Sequence, residues 1–108
     1  RKIMNIFGNN GDSFTKSGNS YFGNNGNSIS NMGGLTMDSR GRHMTTMNNA
    51  SYMSNGVNIV KSGNTYYASN GKSYSLMGNA LYSSNGKSWV SSDKMDDEAV
   101  RTIIFSDN

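Results

Sequence analysis

The sequence predicts an all-β fold in which six 15-residue hairpin repeats form an antiparallel meander that is curled, closed or face-packed, followed by a short C-terminal helix and strand. Three observations carry this prediction. Asn-Gly pairs recur at multiples of 15 residues, large apolar residues recur at two fixed places around them, and the last residues lose the pattern and become acidic. The chain therefore divides into a hairpin repeat array over residues 1–92 and an acidic cap over residues 93–108.

The spacing of the Asn-Gly pairs defines the units. Arg40-Gly41 stands where one further pair is expected, and the five pairs present begin at Asn10, Asn25, Asn55, Asn70 and Asn85. The units start near residues 6, 21, 36, 51, 66 and 81. Asn-Gly best tolerates the two positive φ angles of a type I′ turn, so each pair predicts a two-residue hairpin loop. Gly18-Asn19 and its counterparts mark a second turn, which we interpret as a three-residue loop.

These two loops together predict an apolar ladder on one face of the sheet. The second and ninth places of every unit would lie on that face, while the eighth and tenth places, mostly serine and threonine, would lie on the other. The ladder is the predicted core because nothing else in the chain is large enough. Its residues are Phe7, Phe14, Phe22, Ile29, Met37, Met44, Tyr52, Ile59, Tyr67, Tyr74, Tyr82 and Trp89. A β-solenoid with the same residues inside is the alternative architecture.

The pattern changes after Trp89. Serine and aspartate are available as helix N-caps, and acids follow in the first turn, which favours a helix near residues 93–100. The apolar stretch Thr-Ile-Ile-Phe then predicts a strand over residues 101–106. We expect this segment to cap one end of the array or to cover part of the ladder.

Composition limits the classes of protein and site. The chain has 108 residues, of which a third are apolar, and no cysteine, which excludes disulfides, thiolate metal sites and a cysteine nucleophile. No apolar run approaches the roughly 20 residues of a membrane-spanning helix, and the N-terminal apolar stretch is too short for a signal peptide. We therefore expect a soluble chain without a membrane span, and no residue pattern indicates its compartment.

Charge is unevenly distributed along the chain. The net charge is +3, with basic residues in excess over residues 1–92 and acidic residues in excess over residues 93–108. A basic body is typical of proteins that bind nucleic acid or an acidic partner, although scattered lysines also keep a thin sheet soluble. The acidic tail is expected to lie against the basic body, in a contact that salt would loosen.

The third unit departs most from the pattern and supplies the candidate binding residues Asp38, Arg40, Arg42 and His43. Arginine suits the recognition of phosphate or carboxylate, whereas the alternative interpretation is decay of one unit. Arg40 at a positive φ would cost roughly 1–2 kcal/mol. His43 is the only histidine, and we predict no catalytic residue. We also predict no cofactor and no metal site, since acids at a helix start are favourable without a cation.

The sequence therefore predicts a non-enzymatic β-repeat protein for protein–protein recognition or self-assembly. Its partner would be another protein or its own copies, with a homo-oligomer expected, and short edge strands could pair with a second chain. The alternative is nucleic-acid or carbohydrate binding, by stacking on aromatic residues with Lys61, Lys72 and Lys87 beside them.

Overall fold

The computed structural model describes residues 3–108, which form twelve antiparallel strands and one helix. Each strand pairs with its neighbours in sequence, and β12 pairs back with β1, so the meander closes into a barrel. The predicted antiparallel meander is confirmed in its closed form, and the solenoid alternative is wrong. The strands are β1 (Ile3–Gly8), β2 (Ser13–Ser17), β3 (Ser20–Gly23), β4 (Ser28–Met32), β5 (Leu35–Asp38), β6 (His43–Met47), β7 (Ala50–Met53), β8 (Asn58–Ser62), β9 (Thr65–Ala68), β10 (Ser73–Met77), β11 (Ala80–Ser83) and β12 (Ser88–Ser91).

The Asn-Gly turns are three-residue loops, and the prediction of two-residue loops is wrong. In the first hairpin the Gly8 N–H donates to the Asp12 carbonyl at 2.7 Å, which leaves residues 9–11 in the loop. Gly11 has a φ of 95°, whereas Asn10 has no positive φ. The Asn10 side-chain oxygen instead accepts a hydrogen bond from the Asp12 N–H at 3.1 Å. Asparagine therefore stabilises the turn through its side chain, and only glycine adopts the left-handed conformation.

The second turn is a two-residue loop, where three residues were predicted. Ser17 pairs with Ser20, so Gly18 and Asn19 alone connect the strands. Gly18 has a φ of 65°, and a positive φ at the first loop residue is what a type II′ turn requires. The two loop lengths are thus exchanged relative to the sequence prediction.

This exchange moves half of the predicted ladder to the outer surface. A three-residue loop pairs the ninth place of a unit with the first place, as in Phe14 opposite Ile6, instead of the second. The ninth places are buried as predicted: Phe14, Ile29, Met44, Ile59, Tyr74 and Trp89. The second places, predicted inside, are 46–61% exposed: Phe7, Phe22, Met37, Tyr52, Tyr67 and Tyr82. First places such as Tyr21 and Leu81 are buried in their stead.

The alternating loops also supply the stagger that a closed barrel needs. On β2, Ser13 lies opposite Phe7, whereas Thr15, two residues further on, lies opposite Phe22 of β3. The pairing therefore advances by two residues at each hairpin, and it ends with Val90 opposite Phe7 at the seam. A sheet closes only with tilted strands and such a regular register shift.

A ring of side-chain hydrogen bonds runs around the barrel near the Asn-Gly loops. The residue before each turn asparagine accepts from a backbone N–H of the preceding hairpin, as Ser54 Oγ does from His43 at 3.1 Å. The ring continues across the seam, where Asn9 Oδ1 accepts from the Ser88 N–H at 3.0 Å. Residues 3–108 therefore contain no free sheet edge, so the predicted pairing of an edge strand with another chain has no edge to use.

The C-terminal segment is one helix, α1 (Asp97–Asp107), and the predicted strand over residues 101–106 is wrong. Asp96 caps the helix by accepting from the Ala99 N–H at 2.8 Å. The β-branched residues 102–104 favour a strand by local propensity. The closed barrel offers them no edge, however, and a helix satisfies its backbone hydrogen bonds within itself.

Helix α1 lies inside the barrel. Every residue from Ala99 to Phe105 is buried, which means that all faces of the helix are covered. Hydrogen bonds reach the helix from several sides, including Tyr21 of β3, Tyr66 of β9 and Tyr74 of β10. The helix and the inward-facing strand residues therefore form one core. Within residues 3–108, no helix has the length and apolar character needed to cross a membrane.

Candidate functional site

The predicted binding residues of the third unit lie at the loop between β5 and β6, and two of them are joined. The buried Asp38 carboxylate accepts from Arg42 Nε at 2.8 Å. The Arg42 guanidinium also lies over the Phe105 ring, 4.6 Å from its centroid. Burial raises the pKa of Asp38, but hydrogen bonds from the Arg42 side chain and from the loop N–H groups outweigh burial and hold that pKa below its usual value. This pair connects the loop to the helix.

Arg40 occupies the place of a turn asparagine without the predicted backbone strain. Among residues 3–108 the one non-glycine residue with a positive φ is Asn48. In this loop Asp38 Oδ1 accepts from the N–H groups of Arg40, at 3.0 Å, and Arg42, at 2.8 Å. Asp38 thus does for the third loop what the asparagine side chain does for the other loops.

His43 is separate from this loop contact. It begins β6, is exposed on the outer wall and lies opposite Met37. Arg40 is exposed in the loop, whereas Asp38 and Arg42 contact the interior. The structure therefore brings Asp38 and Arg42 together and does not assemble the four predicted residues into one site.

Basic residues of the strands hold the start of the helix. Asp97 pairs with Arg101 at 2.9 Å and with Lys61 at 3.8 Å. Glu98 pairs with Lys16 at 3.7 Å. Asp97 and Glu98 are therefore held by ion pairs within the helix and with lysines of the strands.

The end of the helix is held in the same way. The Asp107 carboxylate is almost fully buried and lies 2.7 Å from Lys87 Nζ and 3.6 Å from Lys72 Nζ. A carboxylate at a helix C-terminus opposes the helix dipole, so these two ammonium groups offset an unfavourable placement. The hydrogen bond to Asp107 raises the pKa of Lys87. The acidic tail therefore lies against the basic body at both helix ends.

Three buried tyrosines of the strands donate hydrogen bonds to carboxylates of the helix. The pairs are Tyr21 with Glu98 at 3.2 Å, Tyr66 with Asp97 at 2.7 Å and Tyr74 with Asp107 at 2.5 Å. Burial, together with the neighbouring carboxylates, raises the pKa of each of these three hydroxyls well above the ordinary tyrosine value. The phenols therefore stay protonated and act as fixed hydrogen-bond donors.

A polar cavity of about 140 Å³ lies between the first turn of the helix and strands β4 to β6. The lining residue Asn31 accepts a hydrogen bond from Thr36, also in the lining, at 2.7 Å and donates to Thr102 of the helix at 3.1 Å. Over the described part of the chain, every buried side-chain nitrogen or oxygen has a hydrogen-bond partner. The cavity is lined by Asn31, Gly34, Thr36, Thr46, Asp97, Glu98 and Arg101. It holds no buried polar group that needs a ligand.

On the outer wall of the barrel, the outward-facing strand positions within residues 3–108 carry no charged side chain. Of residues 3–108, the charged ones within strands are Lys16, Asp38 and Lys61, and all three make interior contacts. The outward-facing strand positions hold serine, threonine, asparagine, His43 and large apolar side chains. Designs of soluble domains aim for a surface that is about 25–35% charged, and this wall carries no charged side chain among its described strand positions.

Two apolar patches of matching composition lie on the wall. Patch one consists of Met47, Ala50, Tyr52, Val60 and Tyr67, joined by cross-strand pairing of Met47 with Ala50, Ala50 with Val60 and Val60 with Tyr67. Patch two consists of Met77, Ala80, Tyr82, Val90 and Phe7, joined by the corresponding pairs. Apart from the two alanines, their side chains are 47–67% exposed.

Strands β2 to β5 carry no such patch at the corresponding register positions. Serines stand there in place of the methionine, alanine and valine: Ser17, Ser20 and Ser30. The large residues Phe22 and Met37 are present but are separated by these serines. Met32 and Leu35 extend the apolar surface beside patch one.

Sequence reasoning missed the patches because it assigned the second places to the core. Large residues occupy both the first and the second place in several units, as in Tyr66-Tyr67 and Leu81-Tyr82. Adjacent strand residues point to opposite faces, so one of each pair had to lie outside. The pairs themselves were the available signal, and only the loop lengths decide which member is inside.

Comparison of this chain with models of known protein families, with curated protein sequences and with solved structures finds no match. The fold alone does not imply an activity.

Proposed function

We propose that this chain is a non-enzymatic recognition protein that binds a protein partner, or its own copies, through the outer wall. The uncharged wall with its two apolar patches carries this proposal. Exposed contiguous apolar patches bounded by polar residues are typical of interaction sites. The side chains concerned are tyrosine, phenylalanine and methionine, which are enriched at protein interfaces.

The wall is suited to forming an interface at low cost. No ion would lose its hydration when the strand surface is covered, and unpaired buried charges are the most expensive groups in an interface. Serine and threonine hydroxyls around the patches can donate and accept at the rim. The interior is filled by the helix, so the wall is presented on a rigid support, which limits the entropy lost on binding.

The described residues support a binding role over catalysis. His43 is exposed and apart from Asp38, which is committed to Arg42. The carboxylates of the first helical turn are engaged by tyrosine, lysine and arginine. We assign no nucleophile, general base or metal ligand to these groups.

The proposal is tested by comparing three forms of the chain as bait in extracts of its source cells. The forms are the unmodified chain, the wall variant Tyr52→Glu/Tyr82→Glu and the loop variant Arg40→Ala. We expect a protein that the unmodified chain and the loop variant retain and that the wall variant loses. Equal retention by all three forms, no retained protein, or loss with the loop variant alone would contradict binding through the wall.

Carbohydrate binding is the second candidate function, and one observation favours it. Tyr52 lies opposite Thr45 on one side and Asn58 on the other, so an exposed aromatic ring is flanked by a hydroxyl and an amide without any charge. Such a group can stack on a sugar ring and bond to its hydroxyls. Titration with neutral oligosaccharides, followed through tyrosine fluorescence, tests it; Tyr52→Ser should abolish any response.

The nucleic-acid alternative has less support on this surface. Lys61, Lys72 and Lys87, which it requires beside the aromatic residues, are paired with carboxylates of the helix. If single-stranded nucleic acid binds through these lysines, its affinity should fall steeply with salt. The logarithm of the binding constant plotted against the logarithm of the salt concentration should then have a slope of about −0.7 per phosphate neutralised. A flat salt dependence would remove this alternative.

A further inference from the structure

We infer that the wall's partner is a second copy of this chain, and that patch one and patch two each contact a neighbouring copy. Copies would then join into assemblies larger than a dimer. This inference rests on the proposed function and names the partner.

The apolar patch is duplicated within one chain. Patch one spans β6 to β9 and patch two spans β10 to β12 and β1, so the two are four strands apart in a barrel of twelve. Methionine, alanine, tyrosine and valine recur at the same register positions, and barrel closure brings Phe7 to the position that Tyr67 holds in patch one. A chain with two equivalent contact surfaces can hold two neighbours at once.

In the described part of the chain, the outward-facing strand surfaces of two copies carry no charges that would repel each other. Within residues 3–108, the charged groups lie in the loops, at the helix and inside the barrel. Two walls can therefore approach without like charges facing each other, which would otherwise oppose contact between identical copies. A charged partner would leave its ions without counter-charges against this wall, whereas another copy brings an equally uncharged surface.

The number of patches determines the size of the assembly. A single self-complementary patch closes a dimer and stops there, because each copy uses its one surface. Two patches leave a free patch on every copy that has joined, so growth continues as rings or filaments. We therefore expect association to rise with concentration beyond twice the monomer mass.

The test is multi-angle light scattering of the full chain over a wide concentration range, with a charge placed in each patch. Val60→Asp disables patch one and Val90→Asp disables patch two; both positions are about half exposed, so the fold tolerates the change. Ser30→Asp is the matched control, because Ser30 holds the same register position where no patch exists. Far-ultraviolet circular dichroism and Trp89 fluorescence check that each variant is folded.

The unmodified chain and Ser30→Asp are expected to grow past twice the monomer mass, and the double variant to remain a monomer. Single variants that stop at a dimer indicate contact of like patches. Single variants that are monomers, but that pair when mixed with each other, indicate contact of patch one with patch two. Both results support the inference.

A monomer at every concentration, or growth of the double variant equal to that of the unmodified chain, overturns the inference. The bait comparison separates this result from failure of the proposed function. If the chain is a monomer but the wall variant no longer retains the captured protein, binding through the wall is supported and only the identity of the partner is wrong. If the chain is a monomer and its tyrosine fluorescence changes on addition of neutral oligosaccharide, the wall binds carbohydrate instead of a second copy.

Discussion

The Tyr66 hydroxyl donates a 2.7 Å hydrogen bond to the Asp97 carboxylate, which joins β9 of the barrel to the first turn of the central helix. Tyr66 is fully buried, whereas the next residue, Tyr67, is half exposed in patch one. Strand alternation gives two adjacent tyrosines opposite environments. One holds the interior together and the other is available for contacts outside.

Tyr66→Phe should lower the free energy of unfolding by about 1.5–3 kcal/mol, because it removes one hydrogen bond to a charged group and leaves the packing in place. Urea unfolding followed by Trp89 fluorescence measures the change. Tyr67→Phe is the matched control and should leave stability within about 0.5 kcal/mol of the unmodified chain. Equal effects of the two substitutions would contradict the burial of Tyr66 against the helix.

Stability should fall at alkaline pH because of the buried tyrosines. Tyr21, Tyr66 and Tyr74 have a pKa raised above the ordinary value of about 10. The unfolded chain therefore loses these protons first as pH rises. Their contribution is fully present below pH 10 and is lost progressively above it. Urea midpoints between pH 8 and pH 11 test this expectation, and Tyr66→Phe should flatten the decline. A midpoint that does not change over this range would contradict it.

Two substitutions should give the loop between β5 and β6 the same asparagine-based turn as the other loops. Asp38→Ser alone removes the acceptor for two loop N–H groups and the partner of Arg42, at a cost of about 1–3 kcal/mol. Arg40→Asn in that background restores a turn asparagine and should recover part of the loss. Arg40→Asn alone should change little, since Asp38 already fills the role. Thermal unfolding of all three variants measures this coupling; additive effects would contradict it.

Ile104→Ala should cost about 2–5 kcal/mol, because Ile104 is fully buried on the helix and its truncation leaves a cavity in the closed interior. Met47→Ala removes a side chain of similar size from patch one, where it is 63% exposed, and should cost no more than about 0.5 kcal/mol. Denaturant unfolding compares the two variants. A small effect at Ile104 would mean that the helix does not fill the barrel.

Much of the fold followed from the sequence. The Asn-Gly spacing located the hairpins, and the ninth places, from Phe14 to Trp89, were correctly placed in the core. Loop length was not decided by the same residues, because Asn-Gly fits both a type I′ turn and a three-residue loop that ends in a left-handed glycine. A difference of one loop residue reverses the face of every side chain that follows.

The sites were less predictable than the fold. Asp38 and Arg42 were predicted as binding residues, but their contact with each other and the contact of Arg42 with Phe105 depend on where the helix ends. Patch one and patch two were not predicted, since each combines side chains from four strands. Their existence depends on register and closure, which no local segment encodes.

By itself the sequence determined the positions of the turns, the antiparallel order of the strands and one inward-facing residue in each hairpin, because these depend on local turn chemistry and on alternation. Only the tertiary structure decided that the sheet closes, that the second places face outward and that the helix continues through residues 101–107. Closure removes the last sheet edge and creates an enclosed apolar space. An enclosed segment must satisfy its own backbone hydrogen bonds, so the closed barrel selects a helix where local propensity favours a strand.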